Sequence, residues 1–235
     1  MRRAQWTAAA IAVVCIAIAG LVILSQRGWE PQAQPSSPDT ILLPEPQRSG
    51  AMSLEQALAE RRSVRDYKDE PLTLAEVGQL LWAAQGVTDP AGFRTAPSAG
   101  ALYPLEIFVV VGNVDSLPPG AYRYDPGRHA LIRTAEGDRR NALAGAALGQ
   151  SSIRDGAVVV VFAAVYERIT EKYGERGIRY VHMEAGHASQ NVYLQAVSLG
   201  LGTVTIGAFY DDRVKDVVGF KDDEVPLYLM PVGKR

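Results

Sequence analysis

Apolar positions divide this chain into an N-terminal hydrophobic run, a polar stretch and a long region whose patterning changes period several times. Ala8 to Leu24 is continuously apolar. With flanking Thr7 and Ser25 it approaches the roughly 20 residues needed to cross a bilayer. From Gln26 to about Gly50, prolines, serines and glutamines dominate, which predicts an extended tether. Beyond it, Ser53-Leu54-Glu55-Gln56 has the pattern of a capping box and opens a helix through about Glu60. Thr73-Leu74-Ala75-Glu76 repeats that pattern and leads into a second helix, with Gly86 as its terminator.

Leu105–Val111 and Ala157–Val165 are near-continuous apolar runs rich in β-branched residues, which predicts strands buried on both faces. Tyr122 to Tyr124 and Ala130 to Arg133 bracket Asp125-Pro126-Gly127, a hairpin signal. Asp138 to Leu148 reads as a short alanine-rich helix. Ile178 to Leu199 reads as the longest helix, closed by Gly200, with small residues at Ala185, Gly186, Ala188 and Ser189 that permit close packing. Gly202–Ile206 and Val225–Met230 supply further strands. The expected class is α+β, with helices packed on a mainly antiparallel sheet. The expected domains are 1–25 as a transmembrane helix, 26–50 as linker and 51–235 as the folded domain.

Composition narrows this picture. Hydrophobic residues are 47% and charged residues 21% of 235, as in a globular core, and the net charge of -2 gives no footprint for nucleic acid. Arg2 and Arg3 precede the apolar run and favour a cytoplasmic N-terminus, so the folded part is expected to be membrane-anchored and extracytoplasmic. A cleaved signal peptide is the rival reading. The one cysteine, Cys15, lies inside the apolar run, which leaves the folded part without thiols.

Three separated stretches carry candidate chemistry. Arg61, Arg62, Ser63 and Arg65 offer guanidinium groups and a hydroxyl, the groups a phosphate needs, and alternate residues of an extended segment face one side. A solvated basic helix end is the bland alternative. Pro97, Ser98, Ala99 and Gly100 form a small-residue loop running into a strand, where backbone can approach a flat ligand. Gly200 to Gly207 is a second glycine-rich turn. It follows a helix and leads into a strand, the reverse of a dinucleotide-binding turn. Lys172-Tyr173 offers an acid/base pair, and a helix end with exposed polar side chains is the bland alternative. Lys234 and Arg235 end the chain, and would complete a phosphate clamp if the sheet brings them near Arg61. His182 and His187 are five apart, so they do not share a helix face, and no metal site is expected.

Taken in order, RRSVRDY, RTAPSAGALYPLEIFVVV, YRYDPGRHAL, EKYGERGIRYVHMEAGHASQNVYLQA, LGLGTVTIGAF and PLYLMPVG resemble the flavin-dependent nitroreductase superfamily, nearest its SagB-type branch of azoline dehydrogenases. The likeness runs from about residue 51 to the C-terminus. It implies a nitroreductase-like fold and FMN bound at the interface of an intertwined homodimer. It further implies Arg61, Arg62, Ser63 and Arg65 at the phosphate and Pro97 to Gly100 along the ring system. Ile206, Gly207 and Ala208 would then lie near the reactive ring nitrogen, Gly202 would be a further cofactor-binding residue, and Lys234 and Arg235 would sit at a terminal phosphate contact. Lys172 and Tyr173 match the catalytic lysine-tyrosine motif of the azoline dehydrogenases. The implied activity is hydride transfer between flavin and a small organic substrate. NAD(P)H-dependent nitro or quinone reduction competes with azoline-type oxidation, and a non-enzymatic, membrane-displayed flavin carrier is the reading from a different class.

Overall fold

Burial on both faces decides the architecture. In the computed structural model, which describes residues 40–235, Leu105–Val111 forms β2 and Val158–Val165 forms β5, paired antiparallel along their whole length. Ile107, Val109 and Val111 of β2 pack with Val158, Val160 and Phe162 of β5 into one core cluster. Phe108 and Val110 pack with Val159, Val161 and Ala163 into the other. Each apolar run therefore feeds two cores at once, which is why neither alternates with polar residues.

Around this pair the sheet adds β1 (Thr40–Leu42), β3 (Gly120–Asp125), β4 (Ala130–Glu136), β6 (Leu201–Thr203) and β7 (Glu224–Lys234), in the order β1-β4-β3-β2-β5-β7-β6. All six strand pairings are antiparallel. Two helices, α1 (Leu54–Glu60) and α2 (Leu74–Gln85), precede β2. The short α3 (Arg140–Ala146) and α4 (Ser151–Asp155) follow β4. Next come α5 (Glu167–Tyr173) and α6 (Arg176–Ser198), and α7 (Asp211–Val218) lies between β6 and β7. One core cluster carries residues of α2 and α6, the other residues of α3, α4 and α7, so the α+β reading holds as helix, sheet, helix.

Several local expectations meet their physical reasons. Thr73 and Glu76 form a reciprocal capping box on α2, while Ser53 caps α1 one way only, accepting from Gln56 N at 3.1 Å. Gly200 closes α6 in the left-handed conformation, φ 71°. Gly86 ends α2 by a different means: a Cβ there would lie 2.1 Å from Trp82 Cδ1, so the glycine makes room for an indole. The helix expected over 138–148 forms as α3 and stops at Ala146, because Leu148 and Gly149 both take positive φ, and α4 is a separate helix from Ser151. Glu167–Tyr173 is helical, so Lys172 and Tyr173 do stand at a helix end, with Gly174 as its cap. Arg168 ties it down by donating to Tyr103 O at 3.2 Å and pairing with Glu106.

The folded part starts before residue 51. Thr40–Leu42 pairs with β4, Leu43 is buried, and His129 bridges Pro44 O and Tyr124 OH. The N-terminal part of the expected linker and the expected transmembrane helix, 1–25, lie outside the described residues. Among the described residues no helix is long and apolar enough to cross a membrane.

Candidate functional site

Helix α6 is the spine along which the candidate residues sort. Near its C-terminal end, the segment after α1 runs beside the β6 edge. Ser63 bridges Thr203, and Val64 N donates to Thr203 O at 2.9 Å. This contact explains Gly202, where a Cβ would lie 2.6 Å from Val64 Cγ1. Ser63 Oγ meets Tyr193 OH at 3.2 Å, and the same tyrosine hydroxyl accepts from Thr205 N at 2.8 Å and contacts Thr205 Oγ1 at 3.2 Å. The Arg61 guanidinium sits over the Tyr193 ring, 5.1 Å from its centroid. Burial pushes the Tyr193 hydroxyl upward, but Ser63, Thr205 and Arg61 outweigh it and leave the group below its ordinary value. Arg61 and Arg65 form no ion pair among the described residues.

The other basic residues of the expected phosphate grip have different engagements. Arg62 turns back on its own helix, donating to Ala59 O at 3.0 Å and Arg61 O at 2.7 Å. Lys234 is the last residue of β7 and bridges Lys68, so the sheet does bring it beside the 61–68 segment. Its ammonium, however, is paired with Glu76. Arg235 follows it and is exposed.

A second cluster forms where α5 meets the loop before β2. Gly100 has φ 64°, and a Cβ there would lie 2.8 Å from Tyr173 OH and 3.0 Å from Lys172 Nζ. Both polar tips of the lysine-tyrosine pair thus converge on one glycine, whose missing side chain is the space they occupy. Tyr173 packs edge-on against Tyr180 of α6, ring centroids 5.3 Å apart. Ser98 shapes the loop by accepting from Tyr103 N at 2.9 Å. Pro97, Ser98 and Ala99 share a cavity of about 250 Å³ with Tyr180, Met183 and Glu184.

The third stretch faces elsewhere. Ile206 is buried and exchanges two backbone hydrogen bonds with Leu229, at 2.8 and 2.9 Å. Ala208 O accepts from Gln150 Nε2 at 3.3 Å. Gly207 is exposed, and a Cβ there would come no closer than 3.6 Å to its nearest neighbour, the Tyr228 ring, so its backbone stays open to approach. It lines a cavity of about 290 Å³ with His182, Ala185, Phe209 and Leu227. Within one chain the Gly207 stretch and the Pro97 loop therefore line different cavities, and neither includes Arg61, Ser63 or Arg65.

Sequence reasoning passes over Tyr193, Thr205, Gln85 and Glu184. Glu184 has a readable signal: it is an acid within the small-residue stripe of α6, and the structure leaves it 2% exposed. Burial raises its carboxyl from the ordinary 4.5 to about 7, tempered by Ser98, Gln85 and Arg94. Arg94, whose role the sequence leaves open, lies over the Tyr103 ring at 4.4 Å and donates to Gln85 Oε1 at 3.2 Å.

Comparison with known proteins agrees with this architecture. The Nitroreductase family profile matches residues 58–234. A candidate nitroreductase of Methanocaldococcus jannaschii, MJ1384, is 53% identical over 184 residues, which cover 78% of this chain and 92% of that protein. The microcin B17-processing protein McbC of Escherichia coli is 30% identical over 169 residues, 69% of this chain but 62% of McbC. A solved structure from Ralstonia eutropha, also a candidate nitroreductase, superposes with a TM-score of 0.74 at 31% identity, covering 86% of this chain and 92% of that one. The chain belongs to the nitroreductase family of oxidoreductases.

Proposed function

We propose that this protein is an FMN-dependent oxidoreductase of SagB type that moves a hydride between flavin and a small organic substrate. The observation that carries this reading is the convergence of Lys172 Nζ and Tyr173 OH on Gly100, at the loop expected to flank the flavin ring. Such a pair, fixed at one backbone position, suits proton transfer to or from a substrate held against the loop. The bound flavin would supply the two-electron chemistry.

The residues fit FMN. Arg61 and Arg65 offer guanidinium groups without carboxylate partners among the described residues, beside the Ser63 hydroxyl, as a phosphate requires. Open backbone at Gly207 suits close approach of a flat ring system. Pro97, Ser98, Ala99, Gly202, Ile206 and Ala208 would line or support that ring, with Arg62, Lys234 and Arg235 at the rim of the phosphate end. Since the loop and the Gly207 stretch line different cavities in one chain, we read the working unit as a homodimer that brings one wall from each copy. We also read residues 1–25 as a membrane anchor holding the domain outside the cytoplasm. NAD(P)H-dependent nitro or quinone reduction is the second reading, favoured by the 53% identity to a candidate nitroreductase.

The purified protein is expected to be yellow and to release FMN on denaturation in a one-to-one ratio with chain. A colourless protein that also ignores added FMN would overturn the reading. Bleaching of the bound flavin by NADPH would move the reductive reading ahead. Replacing Tyr193 by Phe removes the hydroxyl that orders Ser63 and Thr205, so FMN affinity should fall about tenfold, as a lost charge-assisted network predicts. Equilibrium dialysis measures this, and unchanged affinity would remove Tyr193 from the phosphate end.

A further inference from the structure

We propose that the cavity between the Pro97–Ala99 loop and α6 seats an aromatic or heteroaromatic group through an N–H donor, which bonds Glu184 Oε2. The inference deepens the proposed function by naming a substrate class, and it rests on that reading for taking the loop as the site's wall.

Three observations lead there. The cavity, about 250 Å³, is walled by the Pro97 ring, the Ala99 methyl, Met183 and Tyr180, an apolar slot sized for about one ring and its substituent. Glu184, an acid only 2% exposed, is the one carboxylate residue of that lining. Its Oε1 accepts from Gln85 Nε2 at 3.2 Å, while Oε2 finds no hydrogen-bond partner among the described residues. A buried carboxylate oxygen without a donor is strongly unfavourable, so it marks a place where a ligand's donor belongs.

The surroundings do not supply that donor themselves. Gln85 is fixed in orientation, because its Oε1 accepts from Arg94 Nη1 at 3.2 Å while its amide nitrogen already serves Glu184. Arg94 is held over the Tyr103 ring and forms no ion pair with Glu184. Ser98 stands near enough to favour the charged carboxyl, yet its hydroxyl, which accepts from Tyr103 N, makes no hydrogen bond to Oε2. The nearest cation is thus kept one residue away, and the carboxyl keeps one open lone-pair direction. A ligand N–H, above all a cationic one, would fill it with a charge-assisted bond. Tyr180 joins this slot to the acid/base pair, since it walls the cavity and packs against Tyr173. A ring seated on Glu184 would lie across the loop from Lys172 and Tyr173.

The titratable and polar groups around Glu184 are Gln85 on α2, Arg94 after it, Ser98 in the loop, and Tyr180 and His187 on α6. Burial favours the neutral carboxyl up to about 7, so a cationic donor should bind better as pH rises through that value.

Benzamidine, an aromatic cation with paired N–H donors, is the probe, titrated calorimetrically into the purified full-length protein. At about pH 8 the wild type should bind at least about tenfold more tightly than Glu184→Gln, and the difference should vanish by about pH 5.5. Ala99→Leu, which fills the slot and spares the carboxyl, should abolish binding. A melting temperature no lower than the wild type's in each variant, together with wild-type flavin content in Glu184→Gln, excludes misfolding as the cause. Equal affinity of wild type and Glu184→Gln, or affinity indifferent to pH, would overturn the proposal. Glu184-dependent binding by a protein that never takes up FMN would instead overturn the proposed function and leave this site standing.

Discussion

Replacing Tyr173 by Phe, or Lys172 by Ala, should lower turnover about a hundredfold while flavin content stays at the wild-type level. The split between these readouts is what makes the expectation specific. Lys172 and Tyr173 sit in the last turn of α5, and their polar ends meet at Gly100, away from Arg61, Ser63 and Tyr193 at the other end of α6. Removing either tip leaves the phosphate end intact, so binding should survive while proton transfer fails. Stopped-flow reduction with a chosen electron donor, followed by reoxidation with menadione, measures each half-reaction. Full turnover in both variants with flavin bound would remove the pair from catalysis and favour a flavin carrier. Loss of flavin from Tyr173→Phe would show instead that the α5 end supports the cofactor.

The same pair shows how far the sequence can be read. Lys172-Tyr173 and the Pro97–Gly100 loop are each visible as motifs, but they lie far apart along the chain and nothing local says that they meet. Their meeting depends on α5, a short polar helix with no apolar period to announce it. It is fixed by Arg168 reaching Tyr103 O and Glu106, a contact visible only once the chain is folded. The strands β2 and β5 are legible for the opposite reason: both their faces are buried, so composition alone carries the signal. β1 hides within a proline- and serine-rich stretch, since an edge strand of three residues needs only one buried neighbour, Leu43. Lys234 looks free at the chain end because no sequence pattern pairs it with Glu76, whose capping role is the readable one. Tyr193 and Glu184 look like members of a packed helix stripe, and their chemistry comes from partners on other elements.

Glu184→Gln should make the protein more stable above about pH 7, by up to about 3 kcal/mol, and leave stability nearly unchanged at about pH 4. The sign follows from burial, which raises the folded-state carboxyl from 4.5 to about 7. Between those values the folded chain holds a proton that the unfolded chain has released. The contribution of Glu184 is therefore fully present below 4.5 and is lost as pH rises through 7. His129 acts in the opposite sense: burial lowers its value despite the Pro44 carbonyl, so protonation costs stability at low pH. The raw stability curve mixes the two, whereas the difference between wild type and Glu184→Gln isolates the carboxyl. Urea unfolding of both proteins across this pH range gives that difference, and parallel curves would mean that Glu184 is better solvated or better partnered than its geometry indicates. A measured gain would also bear on function. A carboxyl whose removal stabilises the fold is kept against its own packing, as residues at ligand sites are. With Oε2 unpartnered on a residue that lines the slot, the cost falls where an N–H donor would relieve it, so benzamidine at about pH 8 should recover part of the deficit in the wild type and none in the variant.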